Sequence, residues 1–272
     1  MLRAVEFGES DRILHLLTPR TGRLVAIAKG ARRSVKRFGG NLDLCNHLRI
    51  QVERRRRMSM PHLEQAILVD AHLPLRERPA RFALGCYVVE MVDRMAPESG
   101  VGADLQRLFD FLRDTLRLVS RSEPDERLRL VLELRALDAL GLRPSLRDCV
   151  GCGRDATAVR PATLAAARVA FRVPDGGVVC RHCAPRAEGV LPVHIGTLRT
   201  LERALHLPLD AVGRLGIPAA TLVEARELVS RFQRFHTGLQ LRSEGVVDAL
   251  LRRSSNPDLP PSAASRCSGP AA

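Results

Sequence analysis

Leu48-Arg49-Ile50-Gln51-Val52-Glu53 alternates apolar and polar residues at every step. A period of two marks a strand with one face buried and the other in water. The same kind of short run recurs toward the N-terminus. Val5 and Phe7 end a first strand, and Gly8-Glu9-Ser10-Asp11 turns the chain. Arg12 to Thr18 forms a second strand, Pro19-Arg20-Thr21-Gly22 turns again, and Arg23 to Lys29 forms a third. Downstream, Leu63 to Val69 completes five strands, which predicts a small antiparallel barrel. An SH3-like barrel shares this pattern, so the pattern alone leaves the topology open.

Beyond Pro79 the period becomes helical. Phe82 to Met95 is apolar on most sides and reads as a buried helix. Leu105, Leu108, Leu112, Leu116 and Val119, with Phe109, follow i, i+3, i+4, i+7 spacing. Pro124-Asp125-Glu126 starts a third helix and Gly141 stops it, with Leu130, Leu134 and Leu137 on one face. Helices return over about 196–206 and 218–237, the latter with Leu222, Ala225, Val229, Phe232 and His236 on one face. From Ser254 the chain is rich in Ser, Pro and Ala and has little to bury. The fold class is α+β: a barrel over 1–77, an all-α domain over 78–145 and 191–250 interrupted by a cysteine-bearing insert over 146–190, and a disordered tail over 251–272.

No run approaches the roughly 18 apolar residues of a membrane helix, and Met1 to Phe7 lacks the apolar core of a signal peptide. A cytoplasmic, nucleoid-associated protein is expected. The net charge is +13, and residues 20–57 hold 12 cations against Asp43 and Glu53. The other 234 residues carry 31 cations and 28 anions, so the excess sits in one N-terminal stretch. Concentration of this kind is the electrostatic footprint of a phosphate partner. Lys29-Gly30-Ala31-Arg32-Arg33-Ser34-Val35-Lys36-Arg37-Phe38-Gly39-Gly40 puts five cations in a glycine-bracketed loop suited to a single-stranded backbone. Phe38 is placed either to stack on a base or to anchor the loop. Arg54, Arg55, Arg56 and Arg57 form a second cluster at a strand end. The bland alternative for both is a solvated face.

Seven cysteines in a chain of this kind do not imply a disulfide framework. Cys86 and Cys45 read as core residues, and Cys267 as incidental. Cys149-Val150-Gly151-Cys152 and Cys180-Arg181-His182-Cys183 are two CxxC pairs 27 residues apart, the usual source of a tetrahedral structural zinc site. Val169, Phe171 and Val173, Asp175-Gly176-Gly177 and Val178-Val179 form a hairpin between them, giving a zinc ribbon. Four thiolates leave no open position for catalysis. A redox CxxC fits less well, because neither pair opens a helix after a strand. His182 is an alternative ligand, but the outer cysteines fit better. No phosphate-binding GxxxxGK[ST] loop, G-x-S-x-G elbow or H-E-x-x-H pair occurs, so no enzyme is expected.

These residues resemble a known family. Gly8-Glu9-Ser10-Asp11, Leu16 to Leu24 with its Thr18-Pro19-Arg20-Thr21-Gly22 turn, Ala28-Lys29-Gly30-Ala31-Arg32-Arg33 and Arg37-Phe38-Gly39-Gly40 are similar to the N-terminal motif of the bacterial RecO recombination mediators. Tyr87 to Asp93, Glu133 to Leu137, Cys149 to Gly153, Gly176 to Cys180 and Leu241-Arg242-Ser243 continue the likeness over residues 2–245. The resemblance implies an N-terminal OB-fold, a helical domain and a zinc ribbon that some relatives lack, which favours a structural metal. It implies binding of single- and double-stranded DNA, strand annealing, and partnership with RecR, single-strand-binding protein and, indirectly, RecA. It maps the DNA-binding surface onto Lys29, Arg32, Arg33, Lys36 and Arg37, and more weakly onto Arg54 to Arg57. Family members usually carry several residues ahead of the position of Leu2, so either the start is mis-assigned or the barrel closes imperfectly. Two other readings compete: a zinc-ribbon RNA- or ribosome-associated factor, and a zinc-dependent nucleic-acid enzyme, which needs an unsaturated metal.

Overall fold

The computed structural model describes residues 1–54, 60–98, 102–158, 166–184 and 189–255. Five strands open the chain: β1 (Arg3–Phe7), β2 (Asp11–Thr18), β3 (Gly22–Ala28), β4 (His47–Glu53) and β5 (His62–Asp70). In β2 and β3 the alternating side chains Leu14, Leu16, Ala26 and Ala28 turn inward and are buried with Leu63 and Ala66 of β5. The sheet order is β1-β2-β3-β5-β4, with β3 and β5 parallel and meeting at Ile27 and His62. The expected antiparallel barrel is corrected: β3 and β5 run parallel, and β1 and β4 remain edges, so the sheet does not close. All five residues of β1 are exposed. The two edges approach at Met1, whose amino group donates to Asn46 O at 2.6 Å and whose carbonyl accepts from Cys45 N at 3.1 Å.

The segment between β3 and β4, read as a flexible loop, contains a helical turn, α1 (Val35–Phe38), ended by Gly39 at φ +51°. A second turn, α2 (Leu73–Arg76), leads to the long helices α3 (Pro79–Met95), α4 (Ala103–Arg121) and α5 (Glu126–Ala139). Asp125 caps α5 by accepting from Leu128 N at 2.8 Å, satisfying an amide that has no partner within the helix. The cysteine-bearing unit contains β6 (Arg168–Arg172), β7 (Gly177–Val179) and β8 (Val190–His194), in the order β7-β6-β8. It therefore reaches His194 rather than ending at 190. Then follow α6 (Ile195–His206), a 3-10 turn (Leu209–Arg214), α7 (Ala219–Thr237) and α8 (Glu244–Ser255). The tail expected from 251 is corrected at its start, because Leu251 is fully buried on α8.

One apolar core runs through the helices and takes in Phe171, Val178 and Val193 of the second sheet. The insert thus shares the main core of the helices. Leu2 and Leu17 of the first sheet belong to the same core. At that junction Asp93 of α3, 5 % exposed, receives Arg3 at 3.0 Å and His15 at 3.1 Å. Arg23 donates to the Asp93 carbonyl at 2.9 Å. Gly22 (φ +70°) lies so close that a Cβ there would stand 2.5 Å from Pro97 O. Deeper in the helices, Arg129 is 1 % exposed, with Nε on Glu133 at 2.7 Å and its guanidinium over the Tyr87 ring. Arg129 also pairs with Asp248, and Tyr87 donates to Glu133 at 2.8 Å, so one charged group ties α3, α5 and α8 together. Among the described residues no helix is long and apolar enough to cross a membrane.

Candidate metal centre and nucleic-acid interface

The two CxxC segments fold alike. Cys149 O accepts from Cys152 N (3.3 Å) and Gly153 N (2.8 Å), and Cys180 O accepts from Cys183 N and Ala184 N (both 2.9 Å). Each turn presents two sulfurs on one side. Strand β7 sets the first against the second: Val150 N donates to Val178 O at 3.0 Å, and Cys180 N donates to Cys149 Sγ at 3.2 Å. Gly177 makes this approach possible, since a Cβ there would lie 2.5 Å from Val150 Cγ1 and 2.9 Å from Ser145 O. The four sulfurs fall within 4.8 Å of one another, with Cys152 and Cys180 at 3.6 Å.

A tetrahedron of metal–sulfur bonds of ~2.3 Å has edges of roughly 3.8 Å, so this set fits a four-thiolate ion such as zinc. Burial opposes the Cys149 thiolate, but the amides of Cys180, Gly151 and Cys152 outweigh it and bring that thiol down to about 6. Cys183 is pushed up to about 12, first by the sulfur of Cys180 and then by that of Cys152. Four sulfurs this close shed their protons together only when a cation offsets their repulsion.

The basic segment is held as firmly by protein atoms. Asp11 Oδ1 accepts from Gly30 N at 2.8 Å, and Ser10 O accepts from Arg32 N at 3.0 Å, pinning the loop to the β1–β2 turn. Phe38 plugs the sheet core at 1 % exposure, which settles its role as anchor. Arg37 is half-buried over that ring, with its guanidinium on Lys29 O (2.5 Å) and Ser34 Oγ (3.2 Å). Arg32 is exposed but leans on Glu6 at 3.5 Å. Lys29, Arg33 and Lys36 are exposed, and among the described residues their side chains meet no acid and no hydrogen-bond acceptor. Of five expected cations, two are engaged in the fold and three are free. Arg54 is exposed after β4, while Arg55, Arg56 and Arg57 lie outside the described residues. Sequence reading also passed over Glu90 of α3. It accepts from Arg242 N and Ser243 N at 2.9 Å and from Ser243 Oγ at 2.5 Å, which explains a role for Leu241-Arg242-Ser243 in closing the helical domain.

The family model described as Recombination protein O N terminal matches residues 1–72, and that described as Recombination protein O C terminal matches residues 76–245. Curated relatives align over most of their length. The DNA repair protein RecO of Syntrophus aciditrophicus (strain SB) is 30% identical over 93% of this chain and 94% of its own. That of Symbiobacterium thermophilum is 32% identical over 92% and 95%, and that of Anaeromyxobacter sp. (strain Fw109-5) is 34% identical over 91% and 93%. With both halves of one family's pattern met in order, the chain belongs to the RecO family of DNA repair proteins.

Proposed function

We propose that this protein is a non-enzymatic recombination mediator that holds DNA through the basic loop of an opened OB-fold spanning residues 1–77. The observation that carries this reading is the trio Lys29, Arg33 and Lys36, exposed and without a partner among the described residues, on a loop pinned by Asp11 and plugged by Phe38. Fixed cations without intramolecular partners exchange condensed counterions for phosphate, and that release drives binding of either single or double strands. Two strands held by their backbones are screened from each other and keep their base edges free, which favours annealing. Arg32, once detached from Glu6, and Arg37 add charge, and Arg54 to Arg57 extend the surface. Cys149, Cys152, Cys180 and Cys183 hold one structural zinc ion. In the cell the reading places RecR and single-strand-binding protein on the same molecule, with loading of RecA onto coated single strands as the outcome.

The test is binding of a labelled single-stranded oligonucleotide across a salt series, with annealing measured on the same protein. The wild type binds tightly with steep salt dependence and speeds annealing without cleaving DNA. Replacing Lys29, Arg33 and Lys36 with glutamate abolishes both activities and leaves the fold intact. Each lost phosphate contact flattens the logarithmic salt slope by about one. Full affinity in a folded triple variant would refute the assignment.

A further inference from the structure

Phe7 ends β1 at 52 % exposure, although the chain has only eight Phe, one Tyr and no Trp. Phe235, the other strongly exposed aromatic among the described residues, lies edge-on against His236 on α7. Among the described residues Phe7 has no such cover. Its cross-strand partner is Asp11, and partners in register point to the same face. Arg12 pairs with Ala28, so the Asp11 row runs on to Lys29, the residue that follows β3, and Asp11 itself holds the amide of Gly30. Phe7 and the free Lys29 therefore stand on one row, two strand spacings or about 10 Å apart. Val5, 43 % exposed, lies on the same side as Phe7. Farther along this face, Arg3 and His15 dock onto Asp93, so the helices cover that end and leave the Phe7 end open.

We infer that Phe7 is the base-stacking residue of this DNA site, and that it makes the site favour single strands over duplex. The inference rests on the DNA-binding reading above and extends it to a residue outside the basic loop. A cation beside an open aromatic face is the minimal unit of single-strand recognition: the ammonium takes a phosphate and the ring takes a base. Duplex DNA offers the same phosphates but keeps its bases stacked inside, so it gains nothing from the ring.

The absence of Trp from the chain makes the test direct, because Phe7→Trp gives the only indole in the molecule. Its fluorescence is titrated with a mixed-sequence single strand and with the matching duplex, beside Phe7→Ala and the wild type by polarisation. Quenching by the single strand alone is expected. Phe7→Ala should weaken single-strand affinity about 5- to 100-fold, the range for one stacked base, and leave duplex affinity within about twofold. Single-strand binding by Phe7→Trp without quenching would overturn the inference while leaving the basic loop as the DNA site. Equal losses for both DNA forms in Phe7→Ala would do the same. Failure of the wild type to bind DNA would remove the underlying reading as well.

Discussion

Two clusters of like charge are built on turns of this molecule, and they are secured in opposite ways. The basic loop is fixed by protein atoms: a carboxylate on Gly30 N, a phenylalanine in the core, and Arg37 folded back onto Lys29 O. Its remaining cations are left for an outside anion. The cysteine turns direct their reactive atoms inward, at one another, and four sulfurs within 4.8 Å need a shared cation to be thiolates together. The basic loop spreads positive charge outward, while the paired cysteine turns bring together four thiols whose joint ionisation would need a cation. A structural site and a binding site can thus both be clusters of like charge. What separates them is whether the charges converge on a point or spread over a surface.

The contrast predicts different responses to loss of the securing element. Cys149→Ser, or removal of metal by a chelator, should give the largest effect. A metal bound only by the folded turns contributes several kcal/mol, and β7 passes its loss to a core containing Val178 and Phe171. Calorimetry should show a lower melting temperature, and DNA affinity of the surviving folded protein should stay within about twofold. A chelated protein that melts unchanged would mean that the sulfurs hold no ion. Phe38→Ala should cost about 3–5 kcal/mol, as for a large ring removed from a packed site, and here the loss falls on the sheet that carries the basic loop. Urea unfolding measures it, and a cost under 1 kcal/mol would show that the ring does not anchor the loop.

The cysteine cluster was readable in advance because CxxC spacing specifies a turn whatever surrounds it, and the two pairs close on each other as the pattern requires. Period-two alternation likewise located β4, and capping chemistry at Asp125 located α5. The pattern failed where a residue's meaning depended on a distant neighbour. Val35 to Phe38 lies in a run of cations and glycines, and only the buried ring of Phe38 makes it a helical turn. Val247 and Leu251 have helical spacing, but the polar residues after them drew the reading toward a tail; burial against α3 and the Asp248–Arg129 pair make α8 a helix. The open barrel and the exposed face of Phe7 follow from which strand edges meet, and no local pattern encodes that. The division of the basic residues between engaged and free was hidden for the same reason, because Glu6 and Lys29 O lie on other strands or turns.

The smallest expected effect tests whether the loop must be held at all. Asp11→Asn and Asp11→Ala both remove one negative charge beside the cations, so each raises the local potential for phosphate equally. Asparagine keeps an oxygen for Gly30 N, whereas alanine leaves that amide without its acceptor, at a cost of about 1–2 kcal/mol in stability. If fixed placement of Lys29, Arg33 and Lys36 matters, the alanine variant binds single-stranded DNA about two- to fivefold more weakly than the asparagine variant, with the same salt slope. Electrostatics cancels in that comparison, and what remains is the entropy of ordering a loosened loop on the ligand. Equal affinities would mean that the charges act as a cloud tethered near the sheet, and that pinning serves folding alone.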